Sequence, residues 1–97
     1  MNAYEAAIKT ADLFEQKPSL FDFYNAQIPK CGAPGCALGY IGHFMGHYGE
    51  VNGESAVGIP EEEFYDRMDD LASSTWTMRA DLCAAGLRLY AEKYLKP

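Results

Sequence analysis

Residues 2–18 read NAYEAAIKTADLFEQKP, and this stretch decides the fold class. Tyr4, Ala7, Ile8, Ala11 and Phe14 recur at the spacing of one helix face. Asn2 is a good N-cap, and Glu5 three residues later completes a variant of the capping box. Glu5 and Lys9 form an i,i+4 pair in the favourable order. Lys17-Pro18 stops the helix, because a residue before proline avoids the α region. The pattern predicts a helix over 3–16.

The same reading extends along the chain. Leu20, Phe21, Phe23 and Tyr24 cluster without clean periodicity, which suggests a short helical turn around 19–25 followed by a loop. Residues 34–48 read as a helix opened by Pro34, carrying Leu38, Ile41 and Met45, and stopped by Gly49. Pro60 starts another at its first position, with Glu61, Glu62 and Glu63 complementing the positive end of the helix dipole. Phe64, Met68 and Leu71 mark its buried stripe, flanked by Tyr65 and Ala72. Thr75 or Thr77 caps a long last helix whose stripe is Trp76, Ala80, Cys83, Leu87, Tyr90 and Tyr94, widened by Leu82 and Leu89. The expected architecture is all-α: one domain over 1–97, a bundle of four main helices plus one short one.

The second of those main helices is rich in glycine. Gly35, Gly39, Gly42 and Gly46 fall on one helical face, and each interior glycine costs about 0.8–1 kcal/mol relative to alanine. A smooth face that lets another element approach the backbone is the expected compensation. A ligand or partner lying against the bare backbone is the alternative, and a second copy of this chain packed on the face is a further one.

The chain has 97 residues and a net charge of -6. Hydrophobic residues make up 48% and aromatics 13%, enough for a core and too apolar for disorder. No apolar run reaches the ~18 residues that suggest a membrane span. No basic n-region or apolar h-region marks a signal peptide, so a cytoplasmic location is expected. The charge is concentrated. Residues 50–70 hold eight acidic side chains against Arg67 alone, whereas 71–97 carry two acidic against four basic. A net negative chain is a poor ligand for phosphate backbones, so direct nucleic-acid binding is not expected. Glu62, Asp66, Asp69 and Asp70 share a helix face, with Glu61 and Glu63 beside them. A solvated surface is the plain interpretation of such a run. The sharper one is a docking face for a basic protein partner, comprising Glu61, Glu62, Glu63, Asp66, Asp69 and Asp70.

Cys31, Cys36, His43 and His47 have the ligand chemistry zinc prefers. Their spacing is wrong for one ion. Cys36 and His43 would stand about 10 Å apart on a rigid helix. No metal or other cofactor is therefore expected, and these four remain candidate ligands only if the helix starts later. A Cys–His pair built on Cys36 or Cys83 is the sole route to catalysis, and nothing local orients one residue against the other. No phosphate loop, dinucleotide fingerprint or hydrolase elbow is present. An enzyme is not expected.

The segment Cys31-Gly32-Ala33-Pro34-Gly35-Cys36-Ala37-Leu38-Gly39-Tyr40 resembles a motif of small phage and bacterial proteins, Cys-Gly-Thr-x-(Ala/Gly)-Cys-x-x-Gly-(Trp/His). Phe21-Asp22-Phe23, Val57-Gly58-Ile59-Pro60 and Thr77-Met78-Arg79-Ala80 fit the same order of features. Ala33 replaces the usual Thr and Tyr40 the usual Trp or His. The resemblance implies an all-helical fold, a phage or mobile-element origin, and a packing role for Cys31 and Cys36 at a helix start. In size and acidity the chain also resembles anti-CRISPR proteins. That similarity implies an inhibitor of a host defence protein, one whose own ligand is nucleic acid.

Overall fold

The computed structural model describes residues 1–20, 37–46, 57–72 and 79–97. Four α-helices account for most of them: α1 (Ala3–Gln16), α2 (Ala37–Phe44), α3 (Glu61–Ala72) and α4 (Ala80–Tyr90). A 3₁₀ turn over Pro18–Leu20 follows α1, and a π-helical turn over Ala91–Leu95 continues α4. No strand occurs among the described residues. The Cα radius of gyration is 11.5 Å, against about 12.5 Å for a typical folded chain of this length. The architecture is all-α. Among the described residues no helix is long and apolar enough to cross a membrane.

Helix α1 forms where its local signals place it. The Asn2 side chain accepts from the Glu5 backbone N–H at 2.8 Å, and the Asn2 N–H donates back to Glu5 Oε1 at 3.1 Å. Lys17 closes the helix, its N–H donating to the Leu13 carbonyl. Ala6, Ala7, Ala11 and Phe14 are fully buried on one side. Thr10 is buried among them and donates its hydroxyl to the Ala6 carbonyl at 2.8 Å, which satisfies a polar group that would otherwise be costly to bury.

Helix α4 packs against both α1 and α3, and α2 packs against α1. Ala80, Ala84 and Ala91 lie on the buried side of the C-terminal segment, which packs against the alanine-rich α1. Small side chains at such a contact allow a short interaxial distance. Tyr40 of α2 meets Phe14 of α1 edge to face, ring centroids 5.3 Å apart, and its hydroxyl donates to the Leu20 carbonyl at 3.3 Å. Burial raises the Tyr40 phenol above its ordinary pKa. The Lys9 ammonium sits 4.7 Å from the centroid of the Phe44 ring, a second tie between α1 and α2.

Four local expectations change. Helix α2 ends at Phe44, not near 48, because Gly46 adopts a left-handed φ of 81° and takes the stop expected of Gly49. The glycine face is therefore shorter than expected: Gly39 and Gly42 are buried within α2, Gly46 lies beyond it, and Gly35 is outside the described residues. Pro60 sits just before α3, its carbonyl accepting from the Phe64 N–H at 3.0 Å. The cap position of α4 is Arg79, not Thr75 or Thr77. Its side chain makes no cap hydrogen bond and turns instead onto Asp81. Finally, Leu89 faces outward, 47% exposed, because the buried side of α4 is set by Cys83, Leu87 and Tyr90.

Candidate acidic docking face

Helix α3 is seated by three residues. Phe64, Tyr65 and Met68 are all fully buried. Tyr65, expected only to flank the stripe, lies inside it, and its ring meets Phe64 edge to face at 5.1 Å. Phe64 in turn packs on Tyr90 of α4, centroids 4.7 Å apart. Such aromatic pairs add about 0.5–1.5 kcal/mol beyond area burial, so α3 is fixed in rotation about its own axis.

That rotation decides where the carboxylates point. Glu62, Asp66 and Asp70 are exposed at successive i,i+4 positions, and Asp69 is half-buried beside them. At 1.5 Å per residue, Glu62 and Asp70 stand about 12 Å apart along the helix. Glu62, Asp66 and Asp70 pair with no cation among the described residues. Glu61 opens the helix, and its side chain lies outside the described residues.

Glu63 differs from the rest. It receives a hydrogen bond from Arg67 Nη2 at 2.7 Å, one helical turn on. The Arg67 guanidinium also lies over the Tyr94 ring, 5.0 Å from its centroid. Burial works against the Arg67 charge, but the hydrogen bond and charge of Glu63 outweigh it and raise its pKa. Burial also raises the Tyr90 phenol, with neighbouring Arg67 pulling it down. Glu63 is thus held by an internal partner, at the boundary between the acidic face and the C-terminal turn.

The C-terminal turn has its own ties. Tyr4 donates to Glu92 Oε1 at 2.5 Å, and Lys96 donates to Glu92 Oε2 at 3.2 Å. Lys93 sits 5.3 Å from the Tyr94 ring centroid. Further along, Arg88 bridges Asp12 and Glu15 of α1, and both carboxylates raise its pKa. All three arginines of the chain are thus paired internally. Glu62, Asp66 and Asp70 receive no such counter-charge from an arginine.

Of the candidate zinc ligands, His43 lies in the last turn of α2, half-buried, its ring 5.6 Å from that of Phe44. Cys31, Cys36 and His47 lie outside the described residues. Among the described residues no group of three His, Cys, Asp or Glu side chains is placed to hold a metal ion. Cys83 is fully buried on the core side of α4. The sequence marks the acidic run of α3, of which Glu62, Glu63, Asp66 and Asp70 are exposed; the Glu63–Arg67 pair had the i,i+4 spacing that could have found it, and the Arg67–Tyr94 stack did not. An aromatic 27 positions away gives no local sign that it stacks on an arginine. No family model, curated protein or solved structure matches this chain.

Proposed function

We propose that this chain is a small phage- or mobile-element-encoded inhibitor that binds and blocks a host defence protein through the acidic face of α3. One observation carries the reading: Glu62, Asp66 and Asp70 are exposed in a row on a helix whose opposite side is fully buried. Like charges at i,i+4 destabilise a helix, and no arginine offsets them. An incoming basic surface would supply the missing cations, and electrostatic complementarity of this kind sets partner choice and association rate. The resemblance of the Cys31–Tyr40 segment to phage proteins supports the biological setting. The partner in this reading is a protein whose basic surface serves nucleic acid, and the chain acts by occupying that surface rather than by catalysis.

The test is capture from host lysate with two baits, the native chain and one carrying Glu62→Lys, Asp66→Lys, Asp69→Lys and Asp70→Lys. The native chain should retain a protein with a basic surface and lose it as salt rises. The reversed chain, with an unchanged helical circular-dichroism spectrum, should retain none of it. Retention of the same protein by both baits, or an affinity indifferent to salt, rejects the reading.

A further inference from the structure

Arg67 belongs to two structures at once. Its guanidinium holds Glu63 at 2.7 Å on the rim of the acidic face and lies 5.0 Å from the Tyr94 ring centroid in the π-helical turn. π-helical turns are rare and occur mostly as single turns within α-helices, frequently at functional sites. The ties of this one to the rest of the fold are Arg67 on the Tyr94 ring, Tyr4 on Glu92 and the buried Ala91, and Lys93 and Lys96 add local contacts to Tyr94 and Glu92. Tyr94 is 42% exposed, its ring packed on Tyr90 with centroids 4.8 Å apart and flanked by the two cations.

We propose that Arg67 couples the acidic face to the C-terminal turn, so that a cationic partner engaging Glu63 loosens the segment from Ala91 to Leu95. The inference rests on the reading of α3 as a docking face for a basic protein. A partner arginine or lysine that reaches Glu63 takes the carboxylate that orients Arg67 and repels the Arg67 charge at the same time. Arg67 then leaves the Tyr94 ring. The turn keeps its Glu92 contacts but loses the Arg67 contact that ties it to α3. Occupancy of the face is thereby transmitted to the C-terminus of the chain through a single side chain.

The first experiment uses the isolated full chain. Glu63→Gln should speed amide exchange at residues 92–96 by about two- to fivefold, the loss expected for an exposed cation–aromatic contact, and shift the Tyr94 ring resonances. Glu62→Gln, the same charge change one residue away, should do neither. An unchanged Glu63→Gln spectrum, or equal changes in both variants, overturns the coupling.

The second adds a hexa-arginine peptide as the basic probe. It should shift Tyr94 and speed exchange at 92–96 in the native chain. In Arg67→Gln it should bind and leave that exchange unaltered. Binding to the native chain without any change at 92–96 overturns the coupling alone. Failure of the peptide to bind overturns the docking face, a result separable from the variant comparison in the isolated chain.

Discussion

Tyr4, in the first turn of α1, donates its hydroxyl to Glu92 in the C-terminal π turn at 2.5 Å, across 88 positions of sequence. The two ends of the described chain are joined by this bond, and Lys96 closes the set from the other side of the same carboxylate. The hydrogen bonds from Tyr4 and Lys96 hold the Glu92 carboxyl below its ordinary pKa. The bond to Glu92 is also the main reason that Tyr4 and Lys96 lie above theirs.

These directions give a pH window. A depressed carboxyl stabilises the fold above its unfolded pKa and loses that contribution as pH falls through the folded value. A raised phenol and a raised ammonium stabilise below their unfolded values and lose that contribution as pH rises through the folded ones. The latch should be intact from about pH 5 to about pH 10, opening only as pH falls through the lowered Glu92 value or rises through the raised Tyr4 value. Tyr4 ring resonances followed against pH should stay constant across the window and move at both limits. A steady drift through pH 7 would contradict this arrangement, and Tyr4→Phe should move the acid limb seen at the Lys96 side chain to higher pH, because Glu92 loses the hydrogen bond that lowers its pKa.

Arg88→Ala removes the bridge from α4 to Asp12 and Glu15. Two partly exposed ion pairs sum to about 1 kcal/mol once screening is counted. Urea unfolding should report that loss in low salt and a smaller one in 0.5 M salt. A loss above about 3 kcal/mol would mean that Arg88 is packed as core rather than clamped at the surface.

Leu87 and Leu89 lie two residues apart on α4, one buried and the other 47% exposed. Leu87→Ala should cost about 2–5 kcal/mol, and Leu89→Ala no more than about 0.5 kcal/mol. Equal costs would show that α4 is rotated from the position described. The pair therefore reports on the whole α1–α4–α3 packing.

Gly46 holds φ at 81°, and a Cβ built there meets nothing within 4 Å. Gly46→Ala should therefore destabilise through backbone conformation alone, by about 1 kcal/mol or more. Gly46→Asn should cost less, because asparagine tolerates the left-handed region better. Equal losses for Ala and Asn in denaturant titrations would point to a different conformation at the end of α2.

Asp66→Asn with Asp70→Asn removes like-charge repulsion from α3 and a negative charge from the unfavourable end of its dipole. The melting temperature should rise by about 2 °C, while capture of the proposed partner should fall. Stability gained together with binding lost is the signature of a surface kept for a partner. A lower melting temperature would instead assign these carboxylates a structural role.

The helical class, both ends of α1 and the polar side of α3 were legible because their causes are local. A cap bonds within three residues, a proline acts on its neighbour, and a helical stripe repeats every three or four positions. The stop of α2 was ambiguous for a related reason. Gly46 and Gly49 are chemically equivalent stop signals, and their order in the chain does not say which one turns left-handed. Leu89 looked like part of a stripe because apolar periodicity records hydrophobicity without recording which neighbours are present.

The sequence by itself determined that this chain is helical, where its first helix starts and stops, and where its negative charge is concentrated. Only the tertiary structure decided that Tyr65 is buried, that Arg67 faces both Glu63 and Tyr94, and that the chain widens into a π turn after Tyr90. Apart from the i,i+4 pair of Arg67 and Glu63, the ties involved join groups remote in sequence: Arg67 and Tyr94 are 27 positions apart, Arg88 and Asp12 are 76, and Tyr4 and Glu92 are 88. Such contacts form only once α1, α3 and α4 share one core, because the packing of their buried faces, and no local preference, sets the rotation of each helix.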